Sequence, residues 1–381
     1  MKLLVDGMLF QAGQNGITRL WARLLPRLAQ RDGLEIAVLD RGGLPDIPGV
    51  ERLAFPSYAA RSTAADSFLI DRIGQEVGAE VFLSTATTTP VTLPSVLLVP
   101  DMIPEVLGFD LSARQWREKA IAIAHARRFL CLSRSTAGEL RRFYPEIPAD
   151  RVAIAHPGVD AGVFRPRPAA EIAAFRGRHR LPRPYYVVMG DGAPQPGNGL
   201  VFEALRASRD ASADVLWVGG EPGLPAAAME GLPAGVEVRQ AFLTDEELAR
   251  AYGGAEALVV PSRGDGFGIA VAEAMSAGCP VVCSKGGATV EVAGGATGIV
   301  DPDDVPGMVR ALAAVRTPET RSRLVAAGLS RAANLPGVPV AEALHAAASA
   351  AAAERGSAVL ERFSREWARL RAIQMAVDTS A

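Results

Sequence analysis

Cysteine is scarce in this chain. Three residues (Cys131, Cys279 and Cys283) among 381 are too few for a disulfide framework, and without a C-x-x-C pair or a Cys/His cluster they offer no zinc site. The four histidines include no H-E-x-x-H spacing, so no metal site is expected. Charge of one sign is also lacking: a net of -2 gives no electrostatic reason for a nucleic-acid partner. No apolar run of 18 residues is free of charge, and MKLLVDGMLF lacks the apolar core and cleavage site of a signal peptide. A cytoplasmic chain is the expectation. Lysine is the rarest basic residue, with Lys2, Lys119 and Lys285 alone among 40 Lys plus Arg. A lysine kept inside a motif is therefore a candidate contact.

What is present is enough apolar material, 49% of residues, for two cores, and 381 residues exceed a usual single-domain core. Short apolar runs alternate with helical patterns. LLV (3–5), IAVL (36–39), VFLS (81–84), SVLLV (95–99), RFLCL (128–132) and VAIA (152–155) read as buried strands. After a Pro- and Arg-rich stretch at 161–184, the alternation restarts with YYVVMG (185–190), DVLWVGG (214–220), VEVRQA (236–241), ALVVPS (257–262), CPVVCS (279–284) and GIVD (298–301). Such alternation implies two α/β, Rossmann-like, doubly wound parallel sheets. The expected boundaries are a first domain at 1–165, a linker at 166–184, a second domain at 185–345 and a helical segment at 346–381. In that last segment Val359, Leu360, Phe363, Trp367, Leu370 and Ile373 form one apolar stripe at helical spacing. It either packs on the body of the protein or lies on a membrane surface.

The densest chemistry lies at 257–304. A strand ending at Pro261-Ser262 is followed by Gly264, Gly266 and Gly268, and then by a helix expected from Ile269 to Ser276. Glycines allow positive φ and close backbone approach, and free N–H groups at a helix start suit an anionic diphosphate. Asp265 sits in that turn, and Glu273 about one turn inside the helix. A second glycine turn, Ser284-Lys285-Gly286-Gly287, follows the next strand, with Glu291 four residues on. Ligands of open α/β sheets bind at the carboxyl ends of strands, where both turns must lie. The plainer alternative is a Rossmann-like domain whose carboxylates only cap helices and line loops.

Asp265-Gly266-Phe267-Gly268, Glu273-Ala274-Met275 and Gly278-Cys279-Pro280-Val281-Val282, followed by Gly286, Gly287, Glu291, Val292, Gly294, Gly298, Pro302 and Asp303, resemble the signature of retaining GT-B-fold glycosyltransferases of the family 4 type (glycosyl transferases group 1). Further similarity runs through Gly16-Ile17 and Arg19, STATTTP (84–90), VPDMIPEVLGFDL (99–111), LSRSTAGELRRFYP (132–145) and AHPGVDAGVFRP (155–166). The resemblance implies a GT-B fold of two facing Rossmann-like domains with a C-terminal helix. It implies transfer of a hexose from a nucleoside diphosphate sugar to a carbohydrate or lipid-linked acceptor, with retention and with no cofactor beyond that donor. Glu273 would hydrogen-bond the nucleotide ribose, Asp265 would sit beside the donor sugar, and Asp101 would lie in the acceptor-side loop. Gly16, Gly190, Gly266, Phe267, Gly268, Gly286 and Gly287 would line the binding loops. Lys119 is either a phosphate or acceptor contact or a solvated helix charge.

Three departures stand out. Asp265 replaces the family's first Glu, and Pro100 stands where many members have a His. The loop Gly190-Asp191-Gly192-Ala193-Pro194-Gln195-Pro196-Gly197-Asn198 lacks the Arg and Lys that the family offers to the diphosphate. Arg263 and Lys285 are the candidate substitutes. A catalytically inactive binding or scaffold protein is the alternative that this loss raises. Contact with the inner face of a membrane is a further expectation for a lipid-linked acceptor.

Overall fold

Among the described residues the twelve apolar runs become strands, and a thirteenth strand at Glu51–Ala54 joins them, in two parallel sheets. The structure, a computed structural model, describes every residue except 14, 15, 191–198, 221, 222, 224–228, 263, 265, 267, 336–339 and 381. Contacts divide the chain into two units, Met1–Pro157 with Gly337–Ala381, and Gly158–Pro336.

In the first unit β1 (Lys2–Asp6), β2 (Glu35–Asp40), β3 (Glu51–Ala54), β4 (Val81–Ser84), β5 (Ser95–Val99), β6 (Arg128–Cys131) and β7 (Val152–Ile154) are ordered β3-β2-β1-β4-β5-β6-β7. Every pairing is parallel, with Leu4 opposite Ala37 on one side and Phe82 on the other. Strands buried on both faces read as continuous apolar runs, which is why they are legible. Leu4, Leu39, Ile70 and Phe82 share one core; Leu97, Ala122, Phe129 and Leu140 share another.

In the second unit β8 (Tyr185–Gly190), β9 (Asp214–Gly219), β10 (Val238–Ala241), β11 (Ala257–Val260), β12 (Val281–Ser284) and β13 (Gly298–Val300) are ordered β10-β9-β8-β11-β12-β13, again all parallel. The order reverses direction between β1 and β4 in one sheet and between β8 and β11 in the other. These are the switch points at which α/β sheets open a crevice for ligands.

The units do not follow the expected boundaries. The stretch expected as a linker holds the helix Ala169–Arg178, which buries Phe175 and packs on the helix Asp245–Gly254. Arg250 Nε donates to Glu171 across that contact at 3.1 Å, so 166–184 is part of the second unit. The helices Val340–Ala352 and Ala358–Ser380 belong to the first unit: the former packs on β4 to β7, the latter on the helix Thr63–Glu76.

The apolar stripe expected on the last helix is divided. Leu360 and Trp367 are buried, and Phe363 stacks on Trp367 at 5.4 Å. Val359, Leu370 and Ile373 are exposed, as is Val377. Past Trp367 the inward face is polar. Arg371, 2% exposed, donates to Ser67 Oγ (3.1 Å), Thr89 Oγ1 (2.9 Å) and Glu118 Oε2 (3.3 Å), while Arg114 grips Asp378 through two 2.7 Å bonds. A buried guanidinium is tolerable when its donors are matched in this way. Among the described residues, no helix is long and apolar enough to cross a membrane.

Candidate functional site

The carboxyl edge of the second sheet carries the two glycine corners. β11 ends at Val260, and Ser262 Oγ then exchanges hydrogen bonds with the backbone of Gly264. Gly268 caps the next helix in the left-handed region (φ 75, ψ 41), a conformation that costs a side-chain-bearing residue more than glycine. The helix runs from Ile269 to Ser276 as expected, and its Val271, Ala272, Ala274 and Met275 are buried. Glu273 is buried among them at 1% exposure. A carboxylate in an apolar helix is costly to desolvate, so its position one turn from a glycine cap beside the switch point is the strongest chemical feature of this edge. Arg263, Asp265 and Phe267 lie outside the described residues, and so do 191–198, the loop without Arg or Lys.

At the second corner Lys285 N–H donates to Val300 O at 2.8 Å, which ties β12 to β13 just where the turn begins. Gly287 has φ 53. Ser284 Oγ is buried with no hydrogen-bond partner among the described residues, beside that turn. Lys285 is exposed, with Asp301 at 4.0 Å. Gly190 closes β8, and the indole of Trp217 fills the space where a Cβ would stand. Gln240 at the end of β10 clamps the neighbouring turn: its Nε2 donates to Gly219 O (2.9 Å) and its Oε1 accepts from Gly223 N–H (2.9 Å). The edge therefore places Gly190, Gly266, Gly268, Glu273, Lys285, Gly286 and Gly287 at the carboxyl ends of adjacent strands.

The first sheet's carboxyl edge is organised by a residue the sequence does not single out. Asp6, fully buried at the end of β1, accepts two 2.8 Å bonds from Arg41, one from Thr88 Oγ1 (2.7 Å) and one from the Met8 N–H (3.0 Å). Arg41 also donates to Asp66 at 2.7 Å and lies over the Phe55 ring at 4.3 Å. The one signal available is an Asp ending the apolar run KLLVD; its partner 35 residues on has none. Gly16 opens the helix Gly16–Ala29 and is exposed, with nothing within 4 Å of a Cβ placed there. Asp101, half-buried past β5, accepts from Ile103 N–H at 3.0 Å. Burial raises its carboxyl above the usual range against the opposing pull of Lys119, and Glu105 adds to the rise. Lys119 donates to Glu105 (2.7 Å) and to Asp101 O (3.2 Å), so it is a paired charge and not a solvated one.

Among the described residues no group of three His, Cys, Asp or Glu side chains could hold a metal ion. The three cysteines are buried thiols; burial pushes Cys131 and Cys279 up to about 12, far from thiolate chemistry.

Two parallel Rossmann-like sheets of seven and six strands define the GT-B fold, and solved GT-B glycosyltransferases superpose on the chain. Anabaena HepE in complex with UDP-glucose aligns with a TM-score of 0.71 at 14% identity, over 92% of this chain and 99% of that one. WaaG, a glycosyltransferase involved in lipopolysaccharide biosynthesis, aligns with 0.73 at 16% identity, over 94% and 100%. At the sequence level residues 183–317, which contain both glycine corners, match the family described as Glycosyl transferases group 1. The D-inositol 3-phosphate glycosyltransferase of Streptomyces scabiei is 34% identical over 226 residues, 54% of this chain and 50% of its own length. That of Mycobacteroides abscessus is 34% identical over 189 residues, 47% and 42% respectively. The chain thus spans about half the length of the curated relatives it matches.

Proposed function

We propose that this chain transfers a hexose from a nucleoside diphosphate sugar to a carbohydrate or lipid-linked acceptor with retention of configuration. The observation that carries this reading is Glu273: a carboxylate buried one turn inside a helix that a left-handed glycine opens at the β8/β11 switch point. The helix start would face the diphosphate with its backbone N–H groups, and Glu273 would accept from the ribose hydroxyls. Asp265 would lie beside the donor sugar. On the acceptor side Asp101, with its raised carboxyl, is the group we assign to the acceptor hydroxyl. In a retaining reaction the departing phosphate assists that hydroxyl on the same face, so no protein base is assigned. The names of the relatives support a phosphorylated cyclitol as one acceptor class, and HepE, whose solved complex holds UDP-glucose, supports a uridine donor.

Calorimetric titration with UDP and GDP tests the donor half. Saturable binding by one of them, lost in Glu273→Ala, is the expected result; no binding by either ends the reading. The loop at 190–198, which has no Arg or Lys, favours one alternative, a binding protein without turnover. Sugar transfer from any member of a UDP-, GDP- and dTDP-sugar panel removes that alternative.

A further inference from the structure

The helix Ala169–Arg178 ends in a Schellman turn: Leu181 N–H donates to Arg176 O at 2.8 Å, and Arg180 N–H to Gly177 O at 3.3 Å. Such a turn needs one left-handed residue just past the helix, and glycine meets that need with least strain. Here the residue is Arg180, with φ 53. Side-chain-bearing residues held in this region cluster at ligand clamps and active sites. Within the protein the Arg180 side chain returns nothing for the strain: it makes no hydrogen bond or ion pair among the described residues. The arginines on either side of it are paired, Arg178 with Glu247 at 3.3 Å and Arg183 with Asp214 at 3.2 Å.

Arg180 lines a hollow of about 640 Å³ in the second unit, together with Arg176, Arg239, Ala173, Leu181 and Pro182. That volume lies in the range of small-molecule sites. Three guanidiniums and no carboxylate line it, and like charges gathered around one space repel unless an anion sits among them. Each has donors to spare. Arg176 spends Nε on the carbonyl of Leu181 and Nη2 on those of Pro182 and Arg183, which fixes the wall and leaves Nη1 without an acceptor among the described residues. Arg239 stands on β10, on the face opposite the core into which Val238 packs. Glu237 accepts from its Nη2, but its buried Nε–H has no partner among the described residues. A phosphate that engages Nε–H and an Nη–H side by side satisfies a guanidinium better than this single bond. Leu181 and Pro182 precede β8, so the hollow lies towards the amino ends of the strands, whereas the glycine corners lie at the carboxyl ends.

We propose that this hollow is a second ligand site, for a phosphorylated small molecule whose phosphate sits among Arg176, Arg180 and Arg239 and whose organic part lies against Ala173, Leu181 and Pro182. It stands apart from the donor reading and does not depend on it. The test is calorimetric titration of the full chain with ribose 5-phosphate and with inorganic phosphate. The parent binds the ester saturably and more tightly than the bare ion. Arg180→Gln and Arg239→Gln each weaken the ester about 10- to 150-fold, the range of one hydrogen bond to a charged group. Arg178→Gln removes the same charge from the same helix end but outside the lining, and leaves binding nearly unchanged at physiological salt. Arg180→Gly separates ligand from fold: it loses the ester while Tm holds or rises, because glycine relieves the left-handed strain. No saturable binding of the ester by the parent overturns the site, as does undiminished binding by Arg180→Gln and Arg239→Gln. An equal loss in Arg178→Gln overturns it in favour of general charge. A lowered Tm in Arg180→Gly overturns the role of that arginine as a ligand and assigns it to the helix end. Inorganic phosphate binding as tightly as the ester overturns the assignment of an organic part.

Discussion

Replacing Gly190 by alanine puts one methyl group where the structure has no room for it. An ideal Cβ at Gly190 overlaps the indole of Trp217, lying 2.6 Å from its Cε2 and 2.9 Å from its Cδ1. The indole cannot swing clear at little cost, because it is buried and stacked on Phe202 with centroids 5.9 Å apart and planes at 27°. Overpacking of this kind costs about 1–3 kcal/mol. In a unit of 150–250 residues each kcal/mol moves Tm by about 2–4 °C, so Gly190→Ala should lower the second unit's transition by about 2–12 °C in scanning calorimetry. Near-UV circular dichroism should report the displaced indole. Two controls isolate the cause. Gly177→Ala, at a helix position with nothing within 4 Å of its Cβ, should cost nothing. In a Trp217→Leu background Gly190→Ala should lose most of its effect, giving a coupling of about 0.5–3 kcal/mol. A transition within a degree of the parent, or the same loss with and without the indole, refutes the argument.

Asp6→Ala strips Arg41 of a bidentate partner and leaves a buried guanidinium with Asp66 as its one carboxylate; both side chains of the Asp6–Arg41 pair are fully buried. Breaking such a pair costs about 3–5 kcal/mol, to be read as an early urea transition of the first unit, and a loss below about 1 kcal/mol would show that the network relaxes freely. His125 is buried, bonded through Nδ1 to Ser95 Oγ at 2.7 Å, and burial together with nearby Arg371 and Arg127 lowers its pKa to about 3. The unfolded ring titrates near 6.5, so between about 6.5 and 3 the unfolded state binds the extra proton. Stability therefore falls as pH drops through that window, by up to ~1.4 kcal/mol per pH unit. His125→Gln should flatten that acid slope, and an unchanged slope would mean that other groups set it.

Most of the strands were legible because a strand buried on both faces must be a continuous apolar run, as β4 (Val81–Ser84), β5 (Ser95–Val99) and β12 (Val281–Ser284) are. β3 (Glu51–Ala54) was not legible: as an edge strand it is largely exposed, and ERLA carries no run. The helix Ala169–Arg178 shows in the sequence as a short helix-like piece between two Pro- and Arg-rich runs, but its single buried anchor, Phe175, gives no sign that the stretch is part of the second unit rather than a linker. Periodicity on the last helix gave an apolar stripe but could not show that its second half turns outward. Arg371, Gln374 and Asp378 claim the inward face through partners more than 200 residues away in sequence. The same limit applies at the candidate site. Glu273 and its helix were local and readable. The Asp6–Arg41 pair and the insertion of Trp217 over Gly190 are long-range, and no local pattern encodes them.

The absence of Arg and Lys from 190–198 leaves the question of what would balance a diphosphate on the proposed reading, and Lys285 is the candidate to test. Its backbone is fixed by the bond to Val300 at the second glycine corner. Its side chain is 70% exposed, and its ammonium meets Asp301, itself exposed, at 4.0 Å. A surface pair of that geometry contributes little and is screened by salt, so the side chain can leave Asp301 for a ligand at small cost. If Lys285 supplies the counter-charge, Lys285→Gln should weaken UDP or GDP binding about 3- to 10-fold at low ionic strength, and the gap from the parent should close as salt approaches about 1 M, where the Debye length is near 3 Å. Lys285→Arg should keep most of the affinity, since the point charge is what matters. Parent and Lys285→Gln affinities that differ by the same factor at every salt concentration would assign the effect to local structure. Equal affinities throughout would leave the helix start at Gly268 to hold the diphosphate without help from this lysine.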